Sequence, residues 1–315
     1  MIDDDVRRLE RLREADHDAE VTLSRVRVRH GTADEACRAF VAALDVRDFI
    51  YRGHEQHGGS QHATGLFEHR LTGLSFALIR GGRYSMGSPL GEWPMTVEEE
   101  GPTRLVTIGA LLVCQTACTQ TAWERVMGNR VSQFDGPHLP VEGVSWHDAQ
   151  EFCSKAGLRL PSEAEWEFAC RAETTTAFCF GPTITPGQAN VIGSFRECDC
   201  AGECEGECEC DCVGSCKCPR RDRTVDVYSF QPNGFGLFNI HGNVLEWCQD
   251  EYQIGYQGAP CDGSPWEGHG SGRRVARGGS WVSSASDCRS ASRWAGRAGH
   301  QGNYLGFRPV HSIMA

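Results

Sequence analysis

Eight cysteines crowd one short stretch of the chain: Cys198, Cys200, Cys204, Cys208, Cys210, Cys212, Cys216 and Cys218, in repeated C-x-C and C-x3-C spacings. Thiolates are soft ligands, so in a reducing compartment such a run would hold zinc or Cu(I) in a small cluster. Val213 is the only apolar residue among them able to contribute to a core, so folding of this segment would depend on the metal. The spacing is not that of a zinc finger, and two other readings stay open: an insertion without metal, or disulfides within the loop. Seven acids (Glu197, Asp199, Glu203, Glu205, Glu207, Glu209, Asp211) against Lys217 give the segment −6 of the chain's net −11. The chain has 17 cysteines, and the other nine are scattered singly, which reads as small buried hydrophobes rather than a secreted disulfide scaffold. Four histidines (His54, His57, His62, His69) lie in or just after a Gly/Gln-rich stretch.

The elements that must position these groups are uneven along the 315 residues. Residues 3–18 predict a short charged helix, Val21–Val28 alternates like a strand, and residues 32–46 predict an amphipathic helix with Thr32 as N-cap. Gly53–Gly65 reads as a linker or long loop, which sets a boundary near residue 65. Residues 1–65 are thus an extension, an appendage or a contact to another chain, ahead of a domain over 66–315 with an insertion at 197–219. In that domain Gly is frequent and three helices are expected: Thr119–Met127, Trp146–Ala156, and one starting at Ser162, where Ser162 and Glu165 have capping-box spacing. A few helices among short, irregular strands predict an α+β domain of low regular content. The acidic N-terminus lacks an apolar signal region and no stretch is long enough to span a membrane, so the expected location is cytoplasmic with no membrane partner. The negative charge argues against a nucleic-acid partner.

Ordered motifs fill the domain: Gly81-Gly82-Arg83-Tyr84-Ser85-Met86-Gly87-Ser88, Pro140-Val141-Glu142-Gly143-Val144-Ser145-Trp146, Arg159-Leu160-Pro161-Ser162-Glu163-Ala164-Glu165-Trp166-Glu167, His241-Gly242-Asn243-Val244-Leu245-Glu246-Trp247, Arg277-Gly278-Gly279-Ser280-Trp281, Arg289-Ser290-Ala291-Ser292-Arg293 and Gly306-Phe307-Arg308. In order and spacing this set resembles the formylglycine-generating enzyme (sulfatase-modifying factor) family over residues 66–310. The resemblance implies the low-regularity variant of the C-type lectin fold. It also implies calcium near Asn243, the Val244 carbonyl and Glu246, which offer hard oxygen ligands within one turn. Without calcium, Glu246 would accept hydrogen bonds from backbone amides.

The family's oxidation, as the resemblance implies, uses two cysteines five residues apart that hold copper. Aligned forward from Gly278-Gly279-Ser280-Trp281, Cys288 is a thiol but Arg293 stands five residues on. Aligned backward from Arg289–Arg293, the positions are Ala285 and Ser290. At most one thiol is present, so this segment cannot form a bis-thiolate copper centre; a divergent oxidase would use Cys288 and a partner from elsewhere. Non-haem iron sulfoxide synthases pair this domain with a helical bundle bearing His-x3-His-x-Glu, which the loop histidines here do not match; they read as surface residues.

A non-oxidase would act through its C-terminal segment. Between Trp281 and Gly306 small polar residues alternate with aromatics, a composition suited to adaptable recognition of a protein or small-molecule ligand. The candidate binding residues are Ser283, Ser284, Ser286, Asp287, Ser292, Trp294, His300, Asn303 and Tyr304. The arrangement also resembles the variable proteins of diversity-generating retroelements, in which asparagine codons are mutated at adenines. All nine except Trp294 are reachable by that route.

Overall fold

The structure, a computed structural model, describes residues 47–58, 63–89, 92, 97–192 and 221–313. The elements expected before residue 47, His62 and the whole thiol-rich segment 197–219 lie outside the described residues. Five antiparallel strands form the first sheet, in the order β1 (Phe49–Glu55), β2 (Thr64–His69), β3 (Ser75–Ile79), β6 (Leu111–Cys114) and β11 (Val310–Ser312). All four residues of β6 are buried, as expected of an interior strand covered on both faces. β1 carries the sheet upstream of residue 65: Gly53, His54 and Glu55 pair with Leu66, Gly65 and Thr64, so the start of the expected linker is strand.

β4 (Gly82–Met86) and β5 (Arg104–Ile108) form a separate two-stranded ribbon. The remaining sheet has the order β10 (Leu305–Gly306), β7 (Leu245–Glu251), β8 (Arg273–Arg277) and β9 (Arg293–Arg297), with only the β10–β7 pair parallel. A short α1 (Val97–Glu100) precedes β5, and three longer helices follow β6: α2 (Gln120–Met127), α3 (Trp146–Lys155) and α4 (Glu163–Arg171).

Local chemistry starts each of these three. Thr119 Oγ1 accepts from the Ala122 amide at 3.2 Å, while Ser145 with Asp148 and Ser162 with Glu165 close reciprocal capping boxes. Their apolar faces then divide the core. Trp123 of α2 and Phe152 of α3 stack with ring centroids 5.8 Å apart, and Phe307 meets Phe152 edge-on at 5.2 Å, tying both helices to the chain just before β11. α4 sets Trp166, Ala169 and Cys170 in a second cluster with Met86, Val106 and Val275.

The motif charges turn inward to hold this loop-rich fold together. Glu167 accepts from Arg171 at 2.9 Å and from Arg277; Glu163 pairs with Arg293 at 2.6 Å; Arg289 pairs with Glu92 and Glu100 at 2.7 Å; Arg308 pairs with Glu246 at 2.8 Å. These guanidiniums also cap loop carbonyls that have no strand partner, such as Ala291 and Ser290 under Arg277. Among the described residues no helix is long and apolar enough to cross a membrane.

Candidate functional site at the C-terminal segment

β8 and β9 pair in register from Arg273–Arg297 to Arg277–Arg293, which brings the segment from Trp281 to Tyr304 back across the molecule. Gly279, with φ at +67°, turns the chain after β8, and a 3-10 turn follows at Ala285–Cys288. The nine candidate binding residues separate into groups here. Trp294 leaves β9 with its ring 5.8 Å from both Trp247 and His300, and His300 Nε2 lies 2.9 Å from the Tyr304 hydroxyl. These three partly exposed rings form one surface. Asn303 stands beside it, its amide donating to Gln133 Oε1 at 2.9 Å and its carbonyl accepting from the Trp281 indole at 3.0 Å.

Ser283, Ser284, Ser286 and Asp287 make a second group at the 3-10 turn. Ser284 and Asp287 cap that turn, the Ser284 and Ser286 hydroxyls lie 2.7 Å apart, and Ser283 Oγ accepts from the Ser280 amide at 3.0 Å. Ser292 belongs to neither group, since its carbonyl accepts from the buried Arg277 guanidinium. Sequence reading missed Gln133, Phe134 and Gln301. Phe134 packs edge-on to Trp281 at 5.6 Å, and Gln301 donates to Asp148 at 3.0 Å. No periodicity marks the first two, which sit in the irregular connection between α2 and α3.

Cys288, at the end of the 3-10 turn, is fully buried in a cluster with Phe178, Ile184, Ala189, Val191 and Ala285. Burial pushes its thiol well above the usual range, so it is no thiolate at neutral pH. Its carbonyl accepts from His241 Nδ1 at 2.7 Å, which fixes the proton on that nitrogen. Nε2 is then the acceptor for the Cys179 amide at 3.1 Å, with Cys179 Sγ at 3.2 Å. Cys170 Sγ sits 3.9 Å from Nδ1 and 3.8 Å from Nε2. Burial also pushes the Cys170 thiol up to about 12. His241 and these two thiols escaped the sequence reading because they are 62 and 71 residues apart along the chain.

A bis-thiolate copper centre does not fit a segment with a single buried, protonated thiol. Asn243 Oδ1 accepts from Asn190 Nδ2 at 3.1 Å and from the Val225 amide at 2.9 Å. The two Glu246 oxygens are taken by the Arg308 guanidinium and the Trp166 indole, at 2.7 Å for the latter. Calcium at Asn243, Val244 and Glu246 would have to displace an arginine from its carboxylate, so the donor set as folded does not fit that ion either. The alternative, Glu246 bonded to backbone amides, is also replaced, by side-chain donors.

His241 carries a pH prediction. Burial lowers it from 6.5 to about 4, so between those values the unfolded chain binds a proton that the folded one refuses. Stability should therefore fall as pH drops from 6.5 towards 4, by about 3 kcal/mol in total. Urea midpoints measured across this window should slope more steeply for the wild type than for His241→Gln. Parallel slopes would mean that the ring is not held neutral.

An irregular α+β core of this topology, stitched by buried Arg–Glu pairs and closed by Gly-Gly-Ser-Trp and Gly-Phe-Arg, defines a C-type-lectin-like fold of the formylglycine-generating type. The chain belongs to the family described as the sulfatase-modifying factor enzyme 1-like domain, which matches residues 65–313. It is 35% identical over 195 residues to the formylglycine-generating enzyme of Streptomyces coelicolor, covering 59% of this chain and 57% of that protein, so it spans little more than half of that relative. PvdO from Pseudomonas aeruginosa has a similar fold, with a TM-score of 0.65 and 24% identity over 79% of this chain and 98% of PvdO. So does Treponema denticola variable protein 1, with a TM-score of 0.56 and 23% identity over 76% and 96% of the two chains.

Proposed function

We propose that this chain is a binding module of the family that does not carry out the copper-dependent oxidation and recognises a protein or small-molecule ligand through its C-terminal segment. One observation carries the reading: the only thiol of the segment, Cys288, is buried, while Trp294, His300 and Tyr304 are grouped at the surface. Partly exposed aromatics beside adaptable Ser, Gly and Asn make a surface that binds without chemistry. The fold likeness to a protein named as variable favours looking for diversification of Ser283, Ser284, Ser286 and Asp287 at the second group. A reverse transcriptase gene and a near-repeat of the last coding bases in the flanking DNA would bear on it directly.

The test compares two variants of the full chain. Trp294→Ala/Tyr304→Ala should abolish retention of whatever ligand the wild type captures, and Cys288→Ser should leave it intact. Copper-loaded protein should not oxidise a cysteine-containing peptide; turnover that Cys288→Ser removes would instead establish the divergent oxidase.

Our reading also includes a thiolate cluster at residues 197–219. Purified under reducing conditions, the full chain should carry zinc or copper at about two or more ions per chain, four thiolates per zinc setting the lower figure. A version with Cys198, Cys200, Cys204, Cys208, Cys210, Cys212, Cys216 and Cys218 all replaced by serine should carry none. Equal metal content in the two would place the metal elsewhere.

A further inference from the structure

The β4–β5 ribbon leaves one of its edges open. Thr107, opposite Arg83 in the register, donates its amide to the Cys261 carbonyl at 2.9 Å instead of to β4. Arg83 and Thr107 are therefore a non-hydrogen-bonded pair of the antiparallel ladder, and so are Ser85 and Leu105 two residues along. The backbone N–H and C=O groups of Arg83 and Ser85 consequently point away from β5. Among the described residues no backbone group takes them up, and the ribbon has no third strand.

A cavity of about 540 Å³ lies along this edge, within the range of about 300–1,000 Å³ that holds ligands. Its floor is aromatic: Tyr84 and Phe235 flank Phe168, with centroids 5.3 and 5.8 Å from it. Arg80 and Arg83 line it too, and neither forms an ion pair with any described carboxylate. Glu173, also in the lining, engages neither of them.

We propose that this edge binds an extended acidic peptide segment, which adds to β4 as a third strand. The pleat sets its pattern. A residue opposite Arg83 shares the outward face of Arg83 and is acidic; its neighbours turn inward onto the Tyr84–Phe168–Phe235 floor and are apolar. A second copy of the chain fits less well, because two-fold pairing of β4 (Gly82–Met86) with itself would bring the two Arg83 side chains opposite or diagonal to each other and supply no carboxylate from the strand. The site shares no residue with the C-terminal aromatic surface and does not depend on that reading.

The probe is a fluorescein-labelled heptapeptide of alternating glutamate and valine, titrated into the full chain and read by anisotropy. Saturable binding is expected, with at least tenfold weaker binding of the lysine–valine counterpart. Arg83→Glu, at an exposed position, and Arg80→Glu, at a half-buried one, both checked for unaltered urea midpoints, should each weaken the glutamate peptide about tenfold. N-methylation of its alternate amides should abolish binding, and amide exchange at Arg83 and Ser85 should slow in the complex. Trp294→Ala/Tyr304→Ala should bind the peptide as the wild type does, which separates this site from the other. The proposal is overturned by the absence of saturable binding, by equal binding of the lysine peptide, or by affinity that survives N-methylation.

Discussion

Glu167→Ala should cost the domain about 3–5 kcal/mol, the penalty typical of breaking a buried ion pair by removing one partner. The carboxylate is wholly buried and serves three donors: Arg171 Nε at 2.9 Å, the Gly87 amide at 2.9 Å, and Arg277. The substitution takes this carboxylate away from two buried guanidiniums. Arg171 would keep the Thr176 and Gly87 carbonyls, and Arg277 would keep Ala291, Ser290 and a 3.5 Å approach to Glu163. Carbonyls solvate a cation but do not neutralise it. Against a typical total of about 5–15 kcal/mol, the loss is a large fraction of all stability. Glu167→Gln keeps the volume and the Gly87 bond and should fall between the two. Equilibrium urea unfolding reads the effect as a shift in midpoint at constant slope. A shift worth under about 1 kcal/mol would mean that the buried charges are not what holds the loops.

The same network explains which parts of the fold were legible in the sequence. All three larger helices were readable because their signals are local: Thr119, Ser145 and Ser162 stand where each helix starts, with their partners three residues on. β1 was not, because Gly53 and the histidines around it have loop composition, and only pairing with β2 makes them strand. Glu246 showed as a motif carboxylate, but its partner Arg308 lies 62 residues away, and nothing local distinguishes an ion-pair carboxylate from a calcium ligand. The C-terminal segment was identified by composition, whereas its division was invisible. Ser284 and Asp287 cap a 3-10 turn, which sets the serines apart from the Trp294, His300 and Tyr304 rings. A run of polar residues does not say which hydroxyls its own backbone will claim.

Gly279→Ala tests whether Cys288 is a packed core atom or an available thiol. At φ +67° any residue with a Cβ is strained by roughly 1–2 kcal/mol. The added Cβ would also overlap the Cys288 sulfur and come within 3.1 Å of the Asp287 carbonyl. Overpacking of this kind adds about 1–3 kcal/mol, so the total loss should be about 2–5 kcal/mol. Cys288→Ala removes the sulfur but leaves φ and the carbonyl contact unchanged, so the double variant should recover only the part due to overlap. That recovery is a coupling energy of about 1 kcal/mol or more, read from a double-mutant cycle in urea. A thiol free to swing towards solvent would give a different result. It would move aside at little cost, coupling would vanish, and Gly279→Ala would speed the reaction of Cys288 with a thiol reagent in the folded protein. Strong coupling with unchanged reactivity is expected, because Cys288 is fully buried and its sulfur packs directly against the turn at Gly279.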